Sequence, residues 1–407
     1  MFRSGKWPCI MLLYVYGTVA TSLVTQSVPV IGDIAAHFGL SRVVSGWVIS
    51  IPSLVTALVA LPAGWVIDRI GDKKVLLVGS LCALIGNLGV FMTGDVTVLF
   101  ASRLLEGIGY LALTVGAVAM IMRTTEGPRR AIALGLWSSH TAVGIGVTLI
   151  VVAPLAGHGE QWRWAFGGHA MIMAVLVLAA FLLPGKTEGF TARRLSDIRE
   201  VVRHLPPYRV ALASAASAFI QTGIMASLTV YFSHAFAISI PAAAGVGSLA
   251  EVFAACAGLS VGYLLRGGLA PRQLALIGGV LLLAGGVALY LPQTGFIGAT
   301  VAICTFSLGI GAVNGLIWTL VPAASPAPAL MGSTSGLVAQ ATYLGVLLGP
   351  PAIFATLHAE GWQTRVTMVA VAAILQLAPL PIWRRSGPGR DVGDPAAAAR
   401  IRALNGS

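Results

Sequence analysis

Long apolar runs, separated by short polar or Gly/Pro-rich breaks, recur along nearly the whole chain. A helix needs roughly 20 apolar residues to cross the hydrocarbon of a bilayer. Twelve windows qualify: 8–32, 43–67, 75–93, 96–122, 131–156, 165–184, 210–233, 242–265, 272–292, 296–320, 332–357 and 363–383. The alternating pattern of a membrane barrel is absent, and lipid offers the backbone no hydrogen-bond partners, so the windows predict transmembrane helices. The first carries Tyr14, Thr18, Thr21, Ser22, Thr25 and Gln26. It is too long and too polar for a cleaved signal segment and is expected to stay as a helix.

The longest polar break, 185–209, falls between the sixth and seventh windows. It predicts a bundle over 1–184, a cytoplasmic linker over 185–209, a second bundle over 210–383 and a disordered cytoplasmic tail over 384–407. Three echoes connect the halves. GWVIDRIGDKK at 64–74 is answered by GYLLRGGLAPR at 262–272, and Gly107-Ile108-Gly109 by Gly309-Ile310-Gly311. Gly135 and Gly144 in the fifth window are answered by Gly336 and Gly345 in the eleventh. Their offsets lie between 198 and 202 residues, which points to a duplicated six-helix unit. Such duplication marks secondary transporters, whose sites lie near the bilayer midplane between the repeats.

Composition agrees with a membrane location. Of the 407 residues 57% are hydrophobic and 10% charged, with a mean hydropathy of +0.88, whereas about a quarter of a soluble domain is charged. Twenty-one Lys and Arg flank the windows on one side and three (Arg42, Arg163, Arg365) on the other; Arg103 lies inside a window. The positive-inside rule then puts both termini in the cytoplasm of a multi-pass plasma (inner) membrane protein. The net charge of +11 reads as topology, and no nucleic-acid partner is expected. Cys9, Cys82, Cys256 and Cys304 fall inside windows without pairing or ligand spacing. No metal-ligand, nucleophile or phosphate-loop pattern appears, so neither an enzyme nor a cofactor is expected. A transporter-like sensor would need an output domain, for which the central break is too short.

The stretch GWVIDRIGDKK resembles the loop 2–3 signature of the major facilitator superfamily. LFASRLLEGIG at 99–109 resembles its fourth-helix motif, QWRWAF at 161–166 the usual start of helix six, and GLVAQATYLGVLLGPP at 336–351 its glycine-proline helix motif. The resemblance implies an all-α integral membrane fold of twelve helices in two pseudo-symmetric six-helix bundles, working by alternating access. Asp68 sits near a helix C-terminus, where an anion is disfavoured. It is expected to dock on the N-terminus of the eleventh helix at Ser333, Thr334 and Ser335 and close the cytoplasmic side, a role the resemblance supports. Gly64 and Gly71 would permit the approach; Arg69, Lys73 and Lys74 read as anchors or gate residues. Arg266 stands where Asp68 would be in the second copy, so the latch is one-sided.

Apart from histidines, three ionisable residues lie well inside windows: Arg103, Glu106 and Glu251. Charges there usually face a cavity or a partner. Arg103 and Glu106, three apart on one helical face, read either as a self-neutralised pair or as a pair that changes partner when substrate or proton arrives. The resemblance associates the fourth-helix arginine with proton coupling; glutamate replaces the glutamine common at the position of Glu106. Glu251 has no basic neighbour in its window and is the leading proton carrier, with a neutral, hydrogen-bonded acid as the other reading. Gln26, Trp137, His140, Gln221, Asn314, Trp318, Gln340 and Tyr343 are expected to line the substrate path; each could instead be interhelical glue, and His169 carries less weight. The function expected is proton-coupled efflux of a small organic compound such as a drug, metabolite or siderophore, by a monomer. The alternative is proton-coupled uptake of a small organic anion held by Arg103. Thr148 and Leu149 stand where the second copy has Gly349 and Pro350, so the exporter form of the glycine-proline motif is incomplete in the first copy.

Overall fold

The structure, a computed structural model, describes residues 6–137, 139–185, 199–327, 330–357 and 361–383; within them the side chains of 63–69, 127–128, 130–131, 135 and 383 are not described. The expected tail, most of the expected linker, and the side chains of Gly64, Asp68 and Arg69 therefore lie outside the described residues. Fifteen α-helices follow in order among the described residues: α1 Trp7–Thr25, α2 Ile31–Phe38, α3 Arg42–Ser50, α4 Pro52–Ile70, α5 Asp72–Met92, α6 Val96–Thr124, α7 Gly127–Trp137, α8 His140–Val152, α9 Arg163–Ala180, α10 Leu205–Phe236, α11 Ile240–Arg266, α12 Pro271–Tyr290, α13 Phe296–Ala324, α14 Met331–Ala355 and α15 Trp362–Leu377.

Nine of these helices, among the described residues, are long and apolar enough to cross a membrane, and α3 with the first part of α4, bent by 42° at their junction, passes the same test of length and composition as a pair. The expected fifth window is split between α7 and α8, and the twelfth holds α15, 16 residues long. Local chemistry sets several boundaries. The Asp95 side chain caps α6 by accepting from the Thr97 and Val98 N–H groups at 2.7 and 3.0 Å, and Ser41 and Ser239 cap α3 and α11. Gly39 ends α2 in the left-handed region at φ 64°. Pro52 divides α3 from α4: it has no N–H to donate to the Val48 carbonyl four residues earlier, and the rod bends there.

The duplicated halves repeat a helix pair in detail. A Cβ on Gly79 of α5 would stand 3.3 Å from the Gly109 oxygen of α6, and a Cβ on Gly278 of α12 would stand 3.3 Å from the Gly309 oxygen of α13. Gly86 meets the Ser102 oxygen at 2.8 Å, and Gly285 meets the Ala302 oxygen at 2.6 Å. Here Gly109 answers Gly309, two hundred residues on, which corrects the pairing of the two Gly-Ile-Gly triplets read from the sequence. Gly107 instead abuts Pro52 of α4, and Gly311 abuts Ala254 of α11. Gly144 lets α8 lie against Thr18 and Thr21 of α1, as Gly345 lets α14 lie against Phe219 of α10.

Call the end where α1 begins and α15 finishes inner, and the opposite end outer. At the outer end one apolar cluster is shared by both halves: Val28, Ile31, Ile34, Val48, Ile49 and Leu149 pack with Ala226, Ala244 and Phe354. Polar contacts cross the same seam. Thr229 donates to the Val28 carbonyl at 3.4 Å, Ser248 to the Gly146 carbonyl at 3.0 Å, and Arg42 to the Leu357 carbonyl. A Cβ on Gly46 would stand 2.5 Å from the Pro351 Cα, so the outer end is closed tightly enough to require glycine there. Toward the inner end, α14 continues along α4, with Gln340 donating to the Leu58 carbonyl at 3.1 Å and Gly336 against Leu61.

Candidate functional site

Arg103 and Glu106 are both fully buried and joined side chain to side chain. The rest of the guanidinium is taken up by helix ends. Nε donates to the Val48 carbonyl at 3.0 Å, the group that Pro52 leaves without its intrahelical donor, and Nη1 donates to the Leu23 carbonyl in the last turn of α1 at 2.8 Å. Weaker approaches to Ser27 and the Ile49 carbonyl, at 3.4 and 3.5 Å, and the Phe166 ring 5.7 Å away complete its surroundings. This is a cation capping two helix C-termini, where the backbone carries partial negative charge. No donor remains for a substrate anion.

Gln26, expected on the substrate path, is corrected to the interior of the first half: it is 1% exposed and donates to Asn87 Oδ1 at 2.9 Å. Its Oε1, like Glu106 Oε1, is a buried acceptor without a donor among the described residues, and the Gln26 amide lies against the Glu106 carboxyl.

Glu251 lies in α11 one turn inward from Ser248, at the seam with α8. It is 4% exposed and has no hydrogen bond or ion pair among the described residues. At the start of α8 the His140 ring stacks on Trp137 with centroids 4.2 Å apart, and its Nδ1 lies 2.6 Å from the Trp137 carbonyl. Gly17 of α1 makes room for both rings. In the second half Asn314 accepts from Ser217 at 2.6 Å and donates to Gln221 Oε1 at 3.0 Å. Tyr343 meets Tyr110 across the halves, hydroxyls 2.7 Å apart. Trp137, His140, Gln221, Asn314, Gln340 and Tyr343 are all partly exposed, and Trp318 is 46% exposed. His169 is engaged by Ser22 at 2.7 Å and the Val19 carbonyl at 3.1 Å, within the first half.

Of the residues expected at the gate, Gly71 carries a correction. A Cβ there would meet nothing within 4 Å, so close approach is not what requires glycine; the backbone is, at φ 90° where α4 turns into α5. Lys73 donates to the Phe181 and Leu183 carbonyls at 3.0 and 2.9 Å, tying α5 to the end of α9. Ser333 and Thr334 are buried in the first turn of α14.

Sequence reasoning missed Arg365, counted there only for its charge. It is 5% exposed, donates to the Thr356 carbonyl at the end of α14, and stands over the rings of Tyr290 and Tyr231, 4.8 and 5.5 Å from their centroids. It lines a cavity of about 710 Å³ at the outer end, between the halves. A signal for it existed: Gly159, Gln161 and Arg163 recur as Gly361, Gln363 and Arg365, each 202 residues later. Among the described residues no group of three His, Cys, Asp or Glu side chains could hold a metal ion.

A family model described as Major Facilitator Superfamily matches residues 10–350. The galactose-proton symporter of Escherichia coli (strain K12) is 26% identical over 174 residues, 42% of this chain and 37% of that protein. The multidrug resistance protein MdtL of Shigella flexneri is 28% identical over 264 residues, 61% of this chain and 65% of that protein. The match thus spans less than two thirds of either relative. Among solved structures, a bacterial homolog of the human lysosomal transporter Spinster, inward-facing and unoccupied, superposes with a TM-score of 0.79 at 18% identity, covering 93% of this chain and 98% of that one.

Proposed function

Because the chain belongs to the major facilitator superfamily, and so is a multi-pass membrane transporter, we propose that it exports a small organic compound in exchange for protons. Glu251 carries the reading: a buried carboxyl, without a basic partner among the described residues, at a seam between the halves. When the halves rock, a group at that seam changes the side from which protons reach it. The unpaired acceptors of Glu106 and Gln26 offer a second place for a proton. The aromatic and amide groups of Trp137, His140, Gln221, Asn314 and Tyr343 suit a small organic substrate. The drug-resistance protein among the relatives supports the class. The termini are cytoplasmic in this reading. Asp68 latches the inner end: the antiparallel register that sets Leu58 by Gln340 and Leu61 by Gly336 leads, when continued, toward the N-terminus of α14. Uptake of an anion held by Arg103 is disfavoured, since that guanidinium is already engaged.

Proteoliposomes with an imposed pH gradient test the proposal. Substrate should move against the proton flow, and Glu251→Gln should abolish the response to the gradient while the protein stays folded. Co-directional movement, as the name of the symporter relative describes for galactose, or an unaltered gradient response in the variant, would overturn it.

A further inference from the structure

The outer cavity lies apart from the mid-span groups just described. It has walls from both halves: Arg42 from the first; Tyr231, His234, Tyr290, Trp362 and Arg365 from the second. None of its described lining residues is acidic.

Duplication supplies a control within the molecule. In the first half Arg163 has its charge answered: Glu160 lies 3.3 Å from its Nε, and its Nη1 donates to the Phe91 and Thr93 carbonyls at 3.0 and 2.6 Å. Two hundred and two residues later the arginine is kept, with Trp362 at the position of Glu160; the acid nearest in sequence, Glu360, lies outside the described residues. Arg365 retains one carbonyl and two aromatic faces, and its Nε is buried with no partner among the described residues. Among the described residues no acid pairs with it, and a buried cation without an anion is costly unless something supplies one. Here an anion could come from the cavity it lines, and the replacing indole adds apolar wall.

We infer that this cavity binds an amphipathic organic anion, its carboxylate or phosphate oxygen on Arg365 and its apolar body against Tyr231, Tyr290 and Trp362. The occupant touches both halves where they are closed, so it binds the outer-closed state and holds it. The same chemistry could come from a free metabolite or from the headgroup of an anionic lipid.

The probe is 2-naphthoate, with 2-naphthalenemethanol as its neutral counterpart, titrated onto the purified full chain by calorimetry. The acid should bind at one site and the alcohol not measurably. Arg365→Gln should weaken the acid at least 10-fold. Should that variant fail to fold, Trp362→Glu restores the acid of the first half beside an intact arginine, and should abolish binding equally. Glu251→Gln should leave binding intact, which separates this site from the transport reading. A cysteine placed at Ser248, at the seam, should react more slowly with a membrane-impermeant maleimide when the acid is bound. Repetition in phosphatidylcholine vesicles with and without phosphatidylglycerol identifies the source: competition by the anionic lipid assigns its headgroup, and no competition assigns a free anion. Binding of the acid unchanged in Arg365→Gln or Trp362→Glu, or equal binding of the alcohol, would overturn the site. Labelling unaffected by the acid would overturn the coupling.

Discussion

At the scale of single residues, cations in this chain are spent on helix ends. Arg103 caps α1 and α3, Lys73 the end of α9, Arg163 the end of α5, and Arg365 the end of α14. Within a bilayer there is no water to satisfy the last carbonyls of a helix, and their partial negative charge favours a cation. The sequence made Lys and Arg legible as a topology signal and singled out the Arg103–Glu106 pair. It could not reveal the carbonyl partners, because they belong to elements 55 and 80 residues away in the chain. Removing one partner of a buried ion pair costs about 3–5 kcal/mol. Arg103→Leu should lose that much in denaturant unfolding of the detergent-solubilised protein. The second half places Ile303 and Phe306 at the corresponding positions of the α13 face, so Arg103→Ile combined with Glu106→Phe should recover much of the loss. A single variant as stable as the parent would refute the capping role.

At the scale of elements, what the sequence shows well is local. Windows matched helices, while the residues that set the boundaries, such as Asp95, Ser239 and Pro52, became identifiable from the contacts they make. Harder to see was the division of the fifth window into α7 and α8, which no proline marks, and the reason for Gly71, which lies in backbone angle and not in crowding. Asp95 gives a pH test outside the spans. The two N–H groups at the start of α6 hold its carboxyl below the usual range. A group whose ionised form is favoured by folding stabilises above its unfolded range and loses that contribution as pH falls through the lowered folded value. Asp95→Asn still caps but carries no charge. The parent should melt above this variant at neutral pH, and the gap should close in acid; a gap that widens in acid would contradict the assignment.

At the scale of the whole molecule, the internal repeats exposed the two halves, though their register was settled by contacts and not by the spelling of Gly-Ile-Gly. Which end is sealed was illegible, since both ends are built from similar apolar residues and the choice rests on contacts between halves. The seal at Gly46 makes this testable. Gly46→Leu would drive a side chain into Pro350 and Pro351, so the outer end should stay open. A cysteine at Ser248, in a background lacking the native cysteines, should react faster with the impermeant maleimide, and transport should fall at least 10-fold; unchanged labelling with intact transport would disprove the seal.

The twin glycine contacts of α5 with α6 and of α12 with α13 also bear on mechanics. At each contact the glycine contributes no side chain, and the partner's backbone oxygen lies within 3.3 Å of where a Cβ would stand, so each pair is packed as a close rib. Compliance is left to the joint at Pro52 and the interruption between α7 and α8, and both elements run beside the seam. Torque arising at one face of a half is handed through the ribs almost undiminished and released at those two joints, which is where a carrier of this build yields first.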